Sequence, residues 1–198
     1  MATRGEYAKG RARRAQILTE AVAVFAESGY RAASLRDLAA RCGLSHAGLL
    51  HHFGGTAAGG KAALLLAVLE QRDEQDAATA DLRSGTGRER LDALVEVVRR
   101  NTGRRGIVEL FTVLSAEATA ADHPAHAFFA ERYRRIVTAV ADAFTDCGHP
   151  RPRSAAQRLV AVVDGLQVQW LTHPDEVDMV AEVRAQIDAE LRGTGSAG

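Results

Sequence analysis

Cysteine is almost absent from this 198-residue chain, which has only Cys42 and Cys147. Two isolated thiols build neither a disulfide framework nor a zinc finger. Proline is scarce, at four residues, while alanine and leucine abound and β-branched residues seldom run together. That composition disfavours a sheet and points to an all-α chain. No run of about 18 apolar residues occurs, so nothing is expected to span a membrane. The start, MATRGEYAKGRARR, lacks an apolar stretch and is not a secretory signal, so the expected compartment is the cytoplasm. No repeat at a solenoid period is found.

Net charge is missing too: 25 Lys and Arg face 25 Asp and Glu. Taken whole, that balance argues against nucleic acid. It hides an asymmetry. Residues 1–62 carry nine basic groups and four acids, a surplus of five positive charges, and the remainder carries the opposite surplus. A basic third on an acidic remainder suggests an anionic partner for one end only.

Helical periodicity predicts about nine helices. The first runs from about Arg11 to Ser28, with Ile17, Leu18, Ala21, Val22, Val24 and Phe25 on its apolar face and Gly29 as its stop. Ser34 caps the second, with Asp37 expected to complete a capping box, and Cys42–Gly43 end it. Ser45 caps a short third helix, His46 to Phe53. The glycine-rich stretch 54–60 reads as a loop. Further helices are expected at 61–82, 88–102, 105–121, 124–147, 154–173 and 175–192, with Pro124 and Pro174 in first turns. The tail, 193–198, is expected to be disordered.

Helix, glycine turn, helix is the helix-turn-helix pattern. Its second helix should cross the DNA backbone and its third should enter the major groove. Ser45 then offers a hydroxyl and free N–H groups to a phosphate. His46, Ala47, Gly48, Leu50 and His51 are candidates to face the groove, while Leu49 and Phe53 pack on the first helix. Ser34, Arg36 and Arg41 are placed for phosphates, as are the arm residues Arg4, Lys9, Arg11, Arg13 and Arg14.

Two other motifs carry less. Gly55-Thr-Ala-Ala-Gly-Gly60-Lys61 matches a phosphate-binding loop, but Ala62 replaces the hydroxyl that would hold Mg²⁺ and no strand precedes it. His123 and His126 could begin a chelate, the basis for a metal-dependent sensor or enzyme as an alternative reading. A site needs three or four ligands, so no metal or cofactor is expected and no catalytic set is assigned.

Residues 14–69 resemble the DNA-binding domain of the TetR family of transcriptional regulators. The resemblance rests on Ala21-x-x-x-Phe25-Ala26-x-x-Gly29-Tyr30, on Ser34-Leu35-x-Asp37-Leu38-Ala39-x-x-Cys42-Gly43-Leu44-Ser45, on Leu49-x-His51-His52-Phe53, and on Lys61 before Leu64-Leu65. It extends weakly onward through Asp164-Gly165-Leu166 and Trp170. It implies a homodimer on a palindromic double-stranded operator, usually a repressor, released by a small molecule in the C-terminal domain. It adds His52 and Lys61 to the DNA-facing set. Two departures stand out. Leu50 replaces a tyrosine common in the family, and about five small residues are inserted between Phe53 and Lys61.

Domains are expected at 1–60, the reading head, and 61–192, the effector and dimerisation body. Imperfect filling between body helices would leave a ligand cavity. Asn101, Phe111, Leu114, Ser115, Phe129, Tyr133, Gln167 and Trp170 are its candidate walls. Residues 159–171 are apolar nearly all round, which means burial on two sides, one of them against a partner. Leu159, Val163, Leu166, Trp170, Val180, Val183 and Ile187 are the expected dimer surface, with Gly165 allowing close helix approach. The overall expectation is a ligand-released repressor, with a DNA-binding activator as a further alternative.

Overall fold

A computed structural model describes residues 4–53, 57–77 and 84–192. Among these the chain is helical throughout: α1 (Arg4–Ala32), α2 (Leu35–Arg41), α3 (His46–His51), α4 (Ala57–Ala77), α5 (Gly87–Thr102), α6 (Arg105–Glu117), α7 (His126–Asp146), α8 (Pro152–Thr172) and α9 (Met179–Arg192). None of them is long and apolar enough to cross a membrane.

The caps explain the short elements. Ser34 Oγ accepts from Asp37 N–H at 3.3 Å and Ser45 Oγ from Gly48 N–H at 3.0 Å. Each satisfies a donor that a helix start leaves orphaned. The expected capping box at Ser34 is half made: no return bond from the Asp37 carboxylate occurs among the described residues. Gly43, at φ +63°, turns the chain between α2 and α3. At Gly29 the backbone takes φ 69° and ψ 179°, which breaks the long first helix at the expected stop.

Four element boundaries differ from expectation. The basic arm is helical from Arg4 onward, because its Ala, Arg and Glu content favours helix. Residues 57–60 belong to α4 rather than to a loop, since the following run Lys61–Leu69 propagates helix back into them. Pro124 lies in turns before α7, where His123 Nδ1 accepts from Ala125 N–H at 3.2 Å. Pro174 likewise sits outside α9, which starts later because Asp178 Oδ1 caps it through Val180 and Ala181 N–H, each at 3.0 Å. Residues 54–56, 78–83 and the tail 193–198 lie outside the described residues.

Two apolar cores result. The first joins Ile17, Phe25, Leu38 and Leu49 of the three-helix head to Leu64, Leu65 and Leu69 of α4 and to Leu110 and Leu114 of α6. The second packs α5, α7, α8 and α9 around Val95, Phe144, Leu159 and Val183. Burying each such side chain contributes about 1.5–3 kcal/mol. The first core runs unbroken from the head to α6.

One polar cluster ties α8 to α9. Arg158 reaches Glu190 through two bonds of 2.8 and 2.6 Å, and Gln186 and His149 approach the same carboxylate. The Arg158 bond holds the Glu190 carboxyl below the usual carboxylate range. A depressed carboxyl adds stability above its unfolded pKa and loses it as pH falls through the folded value. Glu190→Gln should therefore cost about 1–2 kcal/mol at pH 7, half-exposed Arg158 limiting the effect. Thermal melts from pH 7 to 3 should show the difference from the parent shrink on acidification. An equal difference at both ends would contradict this assignment.

Candidate DNA-reading head and effector cavity

At the head, α3 offers its first turn outward. Ser45, Ala47 and His51 are exposed, His46, Gly48 and His52 are half-buried, and Leu49 and Phe53 are buried in the first core. Arg36 and Arg41 lie exposed on α2. Arg41 is paired with Glu27 at 2.7 Å. Among the described residues Arg36 has no such partner.

Three residues expected at the DNA face are occupied within the chain. Arg14 Nη1 donates to the His52 carbonyl at 2.9 Å, and its guanidinium lies 4.5 Å from the Phe53 ring centroid. It clamps α1 to the end of α3. Leu50 turns onto Gly60 at the start of α4 and not into open space. Lys61 donates to the Arg31 carbonyl at 3.1 Å and sits 4.9 Å over the Tyr30 ring, and burial lowers its pKa.

Lys61 belongs to a junction below the head. Glu117, the last residue of α6, accepts from Tyr30 N–H through Oε2 at 2.7 Å. The approach needs Gly29: a Cβ there would collide with the Glu117 carboxylate. His123 is buried with its Nε2 at 3.6 Å from Glu117 Oε2, and burial lowers its pKa. Its ring meets Tyr30 edge to face, centroids 5.0 Å apart. His126 is spent differently, with Nδ1 2.8 Å from the Ala118 carbonyl. No group of three or more His, Cys, Asp or Glu able to hold a metal exists among the described residues.

In the body, a cavity of about 480 Å³ opens between α4, α5, α6, α7 and α8. Asn101, Phe111, Ser115, Phe129, Tyr133 and Gln167 line it, together with Val163. Leu114 does not, being fully buried in the first core, and Trp170 does not, packing in the second core beneath Arg105. Most of the wall is aliphatic, including Leu94, Val98, Ile107, Ile136 and Val160. Six charged residues that periodicity does not single out also line it: Arg72, Asp73, Asp76, Arg132, Arg135 and Asp164. The only sequence signal is a charge inside an apolar helical run, as at Asp164 in α8.

Each arginine faces a carboxylate, though Arg72 Nη1 has no hydrogen-bond partner among the described residues. Arg72 pairs with Asp76 at 2.8 Å and also bonds Asn101. Arg132 pairs with Asp73 and lies 4.8 Å from the Phe111 ring centroid. Arg135 pairs with Asp73 at 2.7 Å and Glu131 at 3.8 Å. Burial lowers the Arg132 pKa to about 10 and leaves it charged at neutral pH. Asp164 Oδ2 accepts from Tyr133 OH at 2.9 Å. Burial raises the Asp164 carboxyl, and burial with the Asp164 charge pushes Tyr133 up to about 12.

On α8 and α9, four residues expected at a partner surface are consumed within the chain. Leu159, Trp170, Val183 and Ile187 are buried in the second core. The period shows that they are buried but not against what. Val163, Leu166 and Val180 pack partly on that core. The outer face shows Ala161, Gly165 and Val168, the last 50% exposed, and nothing lies within 4 Å of a Cβ placed on Gly165.

A helix-turn-helix head on a helical body is the architecture of a DNA-binding regulator. The sequence matches the model for bacterial regulatory proteins of the tetR family over residues 17–68 and that for tetracyclin repressor-like C-terminal domains over 85–195. The chain belongs to the TetR family; it is a transcriptional regulator and not an enzyme. Regulators of this family bind DNA operators and small-molecule effectors and act as dimers.

Solved structures share the fold. A transcriptional regulator from Rhodococcus sp. Rha1 superposes with a TM-score of 0.75 at 23% identity, over 93% of this chain and 99% of that one. NalD of Pseudomonas aeruginosa, the secondary repressor of the MexAB-OprM multidrug efflux pump, gives 0.69 at 22%, over 95% and 99%. FadR of Bacillus halodurans, a fatty acid degradation regulator, gives 0.70 at 16%, over 90% and 98%. No curated protein sequence matches the chain.

Proposed function

We propose that this regulator is a cytoplasmic homodimeric repressor that leaves a palindromic operator when a small molecule fills the α4–α8 cavity. The reading head comprises residues 1–60 and the effector and dimerisation body residues 61–192. Ser45, His46, Ala47, Gly48 and His51 read the major groove, and Ser34, Arg36 and the Ser45 N-terminus of α3 position the backbone. The partner packs on the outer face of α8 and α9 around Gly165 and Val168, whose exposed apolar surface is open in the single chain. The effector favours the form whose recognition helices do not match successive grooves about 34 Å apart.

The observation that carries this reading is the span of α6. Phe111 and Ser115 face the cavity, and Glu117 at the end of the same helix holds Tyr30 N–H beside the Gly29 break. A ligand that shifts α6 therefore shifts the end of α1 and the head it carries. Coupling of this kind is worth about 1–3 kcal/mol, or roughly 5–150-fold in operator affinity. Glu117→Ala should keep operator binding within about threefold while cutting the effector's influence to under about threefold. Fluorescence anisotropy on labelled operator, with and without effector, reads both numbers. Undiminished release in the variant would refute the α6 route.

A further inference from the structure

The charge pattern of the cavity names the chemistry of its occupant. Each lining arginine faces a carboxylate: Arg72 faces Asp76, and Arg132 and Arg135 share Asp73, with Arg135 also reaching Glu131. Asp164 stands apart. Its one hydrogen bond comes from the neutral Tyr133 phenol, and it forms no ion pair among the described residues. Arg132 is the guanidinium whose charge reaches it, and that side chain is committed to Asp73. A partly buried carboxylate with a single neutral donor is costly unless a proton or a cation joins it.

The surroundings suit a cation with an apolar body. Phe129 and the Tyr133 ring stand beside the carboxylate's cavity, and aliphatic side chains such as Ile136 and Val160 form the rest of the wall. Aromatic faces attract a desolvated ammonium, and a charge-assisted bond to a carboxylate is roughly twice as strong as a neutral one. We propose that the effector is an organic cation: a protonated amine seated on the Asp164 carboxylate, its apolar body lying along the aliphatic wall. A carboxylic acid would place like charge against Asp164, while each cavity arginine already faces a carboxylate.

This rests on the cavity being the effector site, and the test separates the two. Isothermal titration of the full chain with decylamine, decanol and decanoate compares one apolar body under three head groups. Decylamine should bind about tenfold tighter than decanol, and decanoate should bind weakest. Asp164→Asn should bring decylamine to the level of decanol and leave decanol unchanged, which also reports a folded cavity. Tyr133→Phe, which leaves the carboxylate in place, should keep the preference for the amine. Decanoate equal to or tighter than decylamine, no decylamine binding up to its solubility, or an Asp164→Asn variant that binds the amine as before would overturn the proposal. Val160→Trp combined with Val97→Trp, from two facing walls, obstructs the cavity. If it leaves amine binding intact, the cavity reading itself fails; if it removes binding of all three probes, the cavity stands and only their order decides the head group.

Discussion

Gly29→Ala should unfold the junction between head and body and take operator binding with it. The native backbone there, φ 69° and ψ 179°, lies in a region that glycine alone occupies comfortably, and forcing a side chain into it costs about 1–3 kcal/mol. The added Cβ also collides with the Glu117 carboxylate, which is flexible enough to move only by giving up Tyr30 N–H. A part-buried donor left without its charged acceptor adds a loss toward the low end of about 1–3 kcal/mol. The expected total is about 2–5 kcal/mol, a large share of the stability of a chain this size. Urea titration followed by far-ultraviolet circular dichroism measures the loss. A midpoint within error of the parent would show that the junction is not built as described. Combining Gly29→Ala with Glu117→Ala should cost less than the two losses added together, because the double variant has no carboxylate to displace.

Ala47→Glu should have the opposite profile, leaving the fold intact and abolishing DNA binding. Ala47 is exposed in the first turn of α3, where a carboxylate meets the positive end of the helix and costs the head nothing. In the proposed complex that carboxylate enters the groove between two rows of phosphates. Like charges brought together at an interface cost several kcal/mol, so operator affinity should fall by about 100-fold or more. Anisotropy titration alongside a thermal melt checks both halves. Unchanged affinity would move the DNA-facing surface off α3.

The two variants also separate what could be read from the chain and what could not. Ser34, Ser45 and Gly29 announce helix ends by local chemistry, and all three mark ends in the fold. Leu49 and Phe53 are assigned to the core by their spacing and lie there. Local chemistry fails where a helix start depends on what comes later, as at Asp178, whose cap delays α9 past Pro174. Periodicity fails at α8 and α9 because it reports burial without naming the neighbour: Leu159 and Ile187 are enclosed by their own chain. It fails in the cavity for a different reason. The pairs Asp73 with Arg132 and Tyr133 with Asp164 join residues 59 and 31 positions apart. No short-range signal relates them. Glu117 and Tyr30 lie 87 positions apart. The opening charge balance becomes legible only in that light. The positive surplus of the first 62 residues coincides with the helix-turn-helix, and part of it, at Arg14 and Lys61, serves the head's own packing.

The measurement closest to the central claim is an unbiased selection of DNA sequences by the purified full chain, followed by anisotropy on the enriched site. The expected product is an inverted repeat whose half-sites lie about one helical turn, or 34 Å, apart, bound by two chains. Affinity should fall steeply with salt, as phosphate contacts require. Enrichment of no sequence, or of a single half-site bound by one chain, would contradict that claim.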